Sequence, residues 1–273
     1  MGTADKRLVH NSIFHTLWRH RSLMLELVKR EFTGRYRGSF GGLFWSFAQP
    51  LFLLAVYTVA FGVVLKARWG FSGDTKDYAF MLFLGLIIFN VFAECLKKGP
   101  VLITGNPNFV KKVVFPLEIL PWVMTIAAMA HALISIGVWL AGYLLIYGAP
   151  SFTLLYFPII LTAFFPVLLG FGWLLAALGV IVRDIDQLTG LVAHALLFLT
   201  PIFYSIDAAP EMLQQILMAN PLTFIIEQFR QVMFNGISPN LKGLAVYLVL
   251  STAFSAVCLF IFRRLRSTFA DLV

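Results

Sequence analysis

The 273-residue sequence is poor in charge: Asp, Glu, Lys and Arg make up 12% of it, whereas apolar residues make up 60%. Because soluble domains carry about 25% charged residues, this composition excludes an ordinary water-soluble fold. The sequence is also poor in cysteine, with Cys95 and Cys258 only. Two cysteines without metal-ligand spacing predict no metal site, and no disulfide is expected between them.

The sequence lacks a GxxxxGK[ST] motif and a glycine-rich turn between a strand and a helix, so it shows no nucleotide site of its own. Residues 1–22 contain no apolar stretch followed by a cleavage site, and we expect them to be an uncleaved, polar cytoplasmic segment. The net charge of +8 lies mostly beside apolar runs, so we expect no nucleic-acid partner.

Long uncharged runs are abundant. The first, Phe40–Leu65, exceeds the roughly 20 helical residues that cross a bilayer core of ~30 Å. We predict an all-α integral membrane protein with a six-span domain over residues 38–263 and a cytoplasmic tail over 264–273. The later spans are predicted at about Tyr78–Cys95, as two helices within Ile119–Val182 that turn at Gly148-Ala149-Pro150, and at about Gln187–Ser205 and Leu241–Phe262.

The basic residues predict the orientation. With the N-terminus inside, the predicted cytoplasmic segments hold 16 Lys and Arg and the outer segments hold five. Because cytoplasmic loops carry the excess of basic residues, both termini are expected in the cytoplasm. The apolar residues of 23–37 recur on one helical face, which predicts an amphipathic interface helix on the membrane surface. Glu31 and Arg35 interrupt that face one turn apart, either as a pair at the headgroups or as a contact with a partner or an anionic lipid.

Two connections between the spans are unusual. Residues 96–118 are expected to form a basic cytoplasmic loop with a short, proline-bracketed helix, which suits either coupling to another subunit or contact with anionic lipid. Residues 206–240 stay apolar but contain Pro210, Pro221 and Pro239. The segment is too short and too interrupted to span the membrane, so we predict a periplasmic re-entrant helical hairpin.

Other candidate residues have more than one interpretation. Asp184 and Asp186 form a DxD at a predicted helix start, which favours capping over a glycosyl- or prenyltransferase site. His131 and His194 lie near mid-span, where interhelical hydrogen bonds compete with proton-coupled transport. Aromatic residues of spans one and five suit either lipid contact or a conduit for a sliding sugar chain; the candidates are Trp45, Phe47, Phe52, Tyr57, Phe61, Phe198, Phe203 and Tyr204.

Five segments together resemble a known family. They are RYRGSFGGLFWSFAQPL at 35–51, NPNFVKKVVFPLEILP at 106–121, VRDID at 182–186, TPIFYSIDAAPE at 200–211 and NPLTFIIEQFRQVMFNG at 220–236. In this order they resemble the permease subunit of type 2 ABC exporters of bacterial polysaccharides such as O-antigen, capsule and teichoic acid. The resemblance implies an inner-membrane homodimer that pairs with two ATPase subunits and moves a lipid-linked polysaccharide, with ATP and Mg²⁺ bound by the partner and no cofactor in this chain.

The resemblance also implies roles for particular residues. Those expected to couple to the ATPase are Glu31, Arg35, Arg37, Asn106, Pro107, Lys111 and Lys112. Those expected to contact the lipid phosphate are Arg35, Arg37 and Arg183, and Trp45, Phe47, Phe52, Tyr57, Phe198 and Tyr204 are expected to line the channel. Pro210, Pro221, Glu227 and Arg230 are assigned to a periplasmic gate. An exporter of drugs or small lipids is the alternative within the same class.

Overall fold

The computed structural model of the chain describes residues 13–35, 38, 40–65, 75–111, 115–182 and 184–272. Within those ranges the chain forms helices and turns without strands, so the all-α prediction is confirmed. In chain order the helices are α1 (Ile13–Arg19), α2 (Arg21–Gly34), α3 (Trp45–Tyr57), α4 (Thr75–Lys98), α5 (Pro107–Val110), α6 (Ile119–Ile146), α7 (Phe157–Ile181), α8 (Ile185–Phe198), α9 (Glu211–Ala219), α10 (Pro221–Arg230), α11 (Leu241–Leu265) and α12 (Phe269–Leu272). π-Helical turns extend α3 over Thr58–Val64 and α10 over Gln231–Asn235.

Four helical segments among the described residues are long and apolar enough to cross a membrane. They are Asp77–Lys98, Ile119–Ile146, Phe152–Ile181 and Leu241–Thr268, and they correspond to the predicted second, third, fourth and sixth spans. The first and fifth predicted spans correspond to the shorter apolar helices Trp45–Phe61 and Ile185–Phe198. Six spans therefore remain a prediction.

The fifth predicted span ends earlier as a helix than we expected. Helix α8 stops at Phe198, whereas the predicted span continues to Ser205. Thr200 precedes Pro201, and the residue before a proline is disfavoured in α-helical conformation. The chain accordingly turns from Leu199 onward. The turn between α6 and α7 was predicted correctly, because Gly148 adopts a left-handed φ of 83°, which glycine accepts without strain.

Helix α4 is the centre of the larger hydrophobic core. It packs against α6, α7, α8 and α10, and nearly all of its apolar segment is buried. A buried polar contact fixes its position against α6: Trp139 Nε1 donates to the Phe80 carbonyl at 3.1 Å. Helix α11 packs chiefly against α7 and leaves most of its own surface exposed. Both cysteines are free and buried.

A second hydrophobic cluster joins α2 to the two ends of the 96–118 loop. Leu27 of α2, Ile103 and Phe115 of the loop, and Phe262 near the end of α11 are all buried in it. The apolar face of α2 packs against α6, where the Phe32 ring stacks on His131 with centroids 4.5 Å apart. The amphipathic pattern of this segment thus serves a contact with another helix of the chain.

Candidate functional site

Four charged side chains connect α2 to the end of α4. Arg35 Nη2 lies 2.9 Å from Glu94 Oε2, and Lys98 Nζ lies 2.6 Å from Glu31 Oε1. Lys98 Nζ also lies 2.9 Å from Glu94 Oε1. Glu31 lies on α2 and Arg35 is the C-cap residue of that helix, one turn later, just as Glu94 and Lys98 are one turn apart on α4. Each charge on α2 pairs with the opposite charge on α4, and we call these four residues the ion-pair network.

The ion-pair network is partly shielded from solvent. The Glu94 side chain is only 11% exposed, whereas the other three are 34–38% exposed. Exposed ion pairs contribute little to stability, but a buried charge that loses its partner is strongly unfavourable. Glu94 contacts two cations and is the most buried member, so the network depends most on this residue.

The short helix α5 of the loop contacts α2 through aromatic residues. The Arg30 guanidinium carbon lies 5.6 Å from the centroid of the Phe109 ring, which stacks on Phe115 with centroids 4.3 Å apart. Pro107 occupies the first turn of α5, and the Asn106 side chain donates to the Leu102 carbonyl at 3.0 Å. These two predicted coupling residues therefore shape the start of α5.

The remaining coupling residues differ in what the structure describes. Lys111 follows α5 and is exposed, as a contact with another protein requires. Arg37 and Lys112 lie outside the described residues, and so does Arg183 of the predicted lipid-phosphate contacts. Arg35, the third predicted phosphate contact, is paired with Glu94.

The first part of the 96–118 loop is held against α7 by close backbone packing. A Cβ atom at Gly179 would lie 2.0 Å from the Pro100 carbonyl oxygen, so only glycine permits this approach. Ile103 is fully buried in the same contact region. The beginning of the loop is therefore a packed part of the fold.

The end of the loop is held by the buried carboxylate of Glu118. Arg266 Nη1 donates to both Glu118 oxygens at 2.9 and 3.1 Å, and Arg266 Nη2 donates to the Phe115 carbonyl at 3.2 Å. Trp173 Nε1 donates to the Glu118 carbonyl at 3.1 Å. Contacts with α7 and with the end of α11 thus anchor both ends of the loop and leave Lys111 exposed between them.

Arg230 of the predicted gate is almost completely buried. Its Nε donates to the Met81 carbonyl at 3.0 Å, and its Nη1 donates to the Pro201 carbonyl at 2.6 Å and to Glu227 Oε1 at 2.8 Å. Its Nη2 donates to the Ile202 carbonyl at 3.1 Å. Burial lowers the pKa of the Arg230 guanidinium, and the Glu227 carboxylate acts in the opposite direction. Arg230 thereby joins α10, α4 and the turn after α8.

The two prolines of the predicted gate mark helix starts. Pro210 is the N-cap residue of α9, and Pro221 is at the first turn of α10, where a missing N–H costs nothing. Asn220 joins the two helices: its Oδ1 accepts from the Leu222 N–H at 3.0 Å, and its Nδ2 donates to Thr200 Oγ1 at 2.9 Å. Two short helices therefore occupy the predicted segment, whereas the re-entrant hairpin remains a prediction.

A cavity of about 720 Å³ lies between α3, α4, α6 and α8. Its walls are apolar over much of their area, and the ion-pair residues Arg35, Glu94 and Lys98 line one part of it. Its other polar lining residues include Gln49, Asn90, Ser135, His131 and His194. A partly polar cavity of this size suits a ligand with both polar and apolar faces.

The predicted channel-lining aromatics occupy different surroundings. Tyr57 lines the cavity. Trp45, Phe47, Phe52 and Phe198 are exposed on the surface of the chain, by 49–68%. The Tyr204 hydroxyl donates to the Phe198 carbonyl at 2.8 Å, so it contacts the chain itself. Exposed aromatic rings on α3 and α8 suit lipid or a second copy of the chain, and their role in lining a channel stays a prediction.

Sequence reasoning missed three important residues. They are Glu94, Glu118 and Asn90, none of which the sequence pattern singled out as a site residue. The available signal was the i,i+4 spacing of Glu94 and Lys98, which matches that of Glu31 and Arg35. Asp184 occupies the N-cap position of α8, as the capping interpretation expected, but its side chain makes no cap hydrogen bond.

The chain is similar to known proteins over the segments that form this site. Residues 22–234 match the model of the ABC-2 type transporter family. The chain is 24% identical to the O-antigen export system permease protein RfbA of Myxococcus xanthus, over 93% of this chain and 96% of that protein. It is 27% identical to an O-antigen export system permease protein RfbA of Klebsiella pneumoniae, over 92% and 95% of the two chains. The family match covers most of the chain, including most of α2, the 96–118 loop and the four predicted gate residues. The chain therefore belongs to the ABC-2 type transporter family.

Proposed function

We propose that this chain is the membrane subunit of an ATP-driven exporter that moves a lipid-linked polysaccharide outward across the bacterial inner membrane. The observation that carries the proposal is the similarity to O-antigen export permeases over more than 90% of both chains.

The proposed complex contains two copies of this chain and two ATPase subunits, which bind ATP and Mg²⁺. Each copy crosses the membrane six times, with α3 and α8 as the first and fifth spans and both termini in the cytoplasm. Two observations support this arrangement: α3 and α8 are apolar, and both leave large side chains exposed for contact with lipid or a second copy.

The proposed coupling route begins at the exposed Lys111 beside α5. A displacement there reaches α2 through the Arg30–Phe109 contact and reaches α4 through the ion-pair network. Glu31 and Arg35 act in this route by linking two helices of the permease. Because the loop is anchored at both ends, a push on α5 displaces the attached helices together.

The proposed gate is the segment 206–240, with α9 and α10 as the two arms of a periplasmic re-entrant hairpin. The strongly amphipathic α10 buries its apolar side and Arg230 against α4, whereas α9 exposes Met212, Ile216 and Met218. This difference in burial supports α10 as the arm that is fixed to the rest of the chain and α9 as the arm that faces lipid or another subunit.

The test is deletion of the gene in the source bacterium, followed by analysis of cell-surface polysaccharide. We expect surface glycan to disappear and its lipid-linked precursor to accumulate inside the cell. Wild-type chain should restore the surface glycan only when the ATPase subunit is also present. Unchanged surface glycan combined with greater drug sensitivity would favour the drug-exporter alternative and reject the proposal.

A further inference from the structure

The cavity between α3, α4, α6 and α8 presents polar groups that the described chain does not use. Asn90 is exposed, although every other residue from Tyr78 to Ala93 of α4 is buried. Gln49 of α3 is exposed toward the same cavity. Among the described residues, neither amide has a hydrogen-bond partner.

A third group in the cavity comes from α8. His194 Nδ1 lies 2.7 Å from the Gly190 carbonyl, so Nδ1 carries the proton and donates to that oxygen. In the neutral ring, Nε2 is then an acceptor. Three helices thus bring two amides and one imidazole to one cavity within the apolar part of the protein. Polar groups at such a position are costly unless a ligand or water satisfies them.

We infer that this cavity is a binding site for a single uncharged sugar unit, held through its hydroxyl groups by Gln49, Asn90 and His194. The inference rests on the proposed export of polysaccharide and adds a specific sugar-binding position within each copy of the chain. Amides both donate and accept hydrogen bonds, and Nε2 accepts them, which matches the hydroxyl groups around a pyranose ring. Tyr57 adds an aromatic ring to the same cavity, and aromatic rings pack on the apolar face of a sugar.

Two of the three cations that line the cavity are paired with carboxylates. The cations are Arg35, Lys97 and Lys98, and Glu94 contacts both Arg35 and Lys98. Lys98 also contacts Glu31. A phosphate at Arg35 or Lys98 would have to displace these carboxylates or compete with them, whereas a sugar hydroxyl meets amides that have no partner among the described residues. Lys97 is exposed and is the cation at which an anionic ligand would compete, which the phosphate probe tests.

The volume of about 720 Å³ lies within the range of roughly 300–1,000 Å³ for small-ligand sites. That space accommodates a sugar unit but encloses only a short part of a long chain. The cavity would therefore hold one position of the polysaccharide at a time and release it when the surrounding helices move.

The experiment is photoaffinity labelling of the purified full-length chain in lipid nanodiscs. The probes are an alkyl β-glucoside and an alkyl phosphate with the same diazirine-bearing tail, and labelled peptides are identified by mass spectrometry. We expect the glucoside to label peptides of α3, α4 and α8 around the cavity, and the phosphate to label them much less.

The variants are Gln49→Leu with Asn90→Leu, and Gln49→Ala with Asn90→Ala as a second pair that adds no bulky side chain. Losing two hydrogen bonds should reduce glucoside labelling of the cavity by about tenfold. The control is Thr252→Val, which removes an exposed hydroxyl of α11 that bonds only to the Leu248 carbonyl of its own helix. It should leave the labelling unchanged.

Undiminished labelling in both double variants would overturn the inference, and equal or stronger labelling by the phosphate would replace the sugar with an anionic headgroup. Because labelling requires no transport, the result is independent of the export test. Normal surface glycan in the deletion strain rejects the export proposal, whereas restored export with no cavity labelling rejects only the sugar site.

Discussion

The guanidinium of Arg230 occupies the space that a side chain at position 85 would need. A Cβ atom at Gly85 would lie 2.7 Å from Arg230 Nη2. Real Cβ atoms do not approach other atoms this closely, so glycine at 85 is what lets the guanidinium reach the carbonyl oxygens around it. The buried arginine of the predicted gate therefore depends on a residue of α4 that is 145 positions away in the sequence.

Gly85→Ala should displace the Arg230 guanidinium and cost it one or more buried hydrogen bonds. We expect a loss of about 1–3 kcal/mol in stability, reduced somewhat by the higher helix propensity of alanine. The measurement is the unfolding transition of the purified protein in detergent. Gly137→Ala in α6 is the matched control, because a Cβ there meets no atom within 4 Å and should be neutral or stabilising. Equal behaviour of the two variants would contradict the proposed dependence.

Gly179→Ala should be more harmful than Gly85→Ala. The added Cβ would meet the backbone carbonyl of Pro100 at 2.0 Å, and a backbone atom cannot rotate away as a side chain can. We expect a loss of about 3 kcal/mol or more, since overpacking forces the backbone to shift. Gly190→Ala in α8, which has open space around it, is the control. Wild-type stability of the Gly179 variant would mean that the loop does not pack on α7 as described.

Glu94→Gln should impair the protein more than Arg35→Gln. The first change leaves Arg35 and Lys98 without their shared carboxylate at a shielded position, at a cost of about 2 kcal/mol. The second removes a more exposed member and should cost about 0.5–1 kcal/mol. Unfolding and glycan export of both single variants and the double variant form a double-mutant cycle.

The control for this series is Glu26→Gln, a change of the same type at an exposed residue of α2. It should leave both unfolding and export unchanged. Strictly additive effects of Arg35→Gln and Glu94→Gln would show that the two side chains do not interact in the membrane.

Neutralising Lys111 and Lys112 together should separate export from insertion. Lys111 is exposed beside α5 and Lys112 follows it in the sequence, so their loss should weaken a contact with the ATPase without disturbing the fold. We expect export to fall by about tenfold, the equivalent of about 1.4 kcal/mol of lost interaction. Quantitative immunoblotting of membranes should show normal amounts of the protein.

Lys242→Gln provides the comparison, since Lys242 is exposed at the start of α11, on the predicted outer side. It should export normally. Wild-type export by the Lys111 and Lys112 double variant would refute a coupling role for this part of the loop.

The positions of most helices followed from the sequence because an apolar run and its interruptions are local features. The turn at Gly148 and the short helix α5 that begins at Pro107 are examples. Helix α8 was predicted to run too far, although Pro201 was a visible reason for it to end.

The contacts between helices were much harder to predict. Glu31 and Arg35 could pair locally, and Glu94 and Lys98 do so, so the local pattern did not indicate the additional Arg35–Glu94 and Glu31–Lys98 pairs between the two segments. The acceptors of Arg230 are mainly backbone carbonyls, which every residue possesses. Asn90 looked like one polar residue in an apolar run, and only the packing of α4 shows that it faces a cavity.

Helix α4 has a consequence for how distant parts of the protein respond to one another. Its 24 residues extend over about 36 Å as a continuous helix. Near one end of α4, the Met81 carbonyl accepts a hydrogen bond from Arg230 of the predicted gate. At the other end, Glu94 and Lys98 pair with Arg35 and Glu31 of the α2 segment. Because an α-helix resists compression along its axis, an axial shift of Lys98 is transmitted along the helix to Met81. A single buried helix can thus carry a displacement between the ion-pair network and the predicted gate.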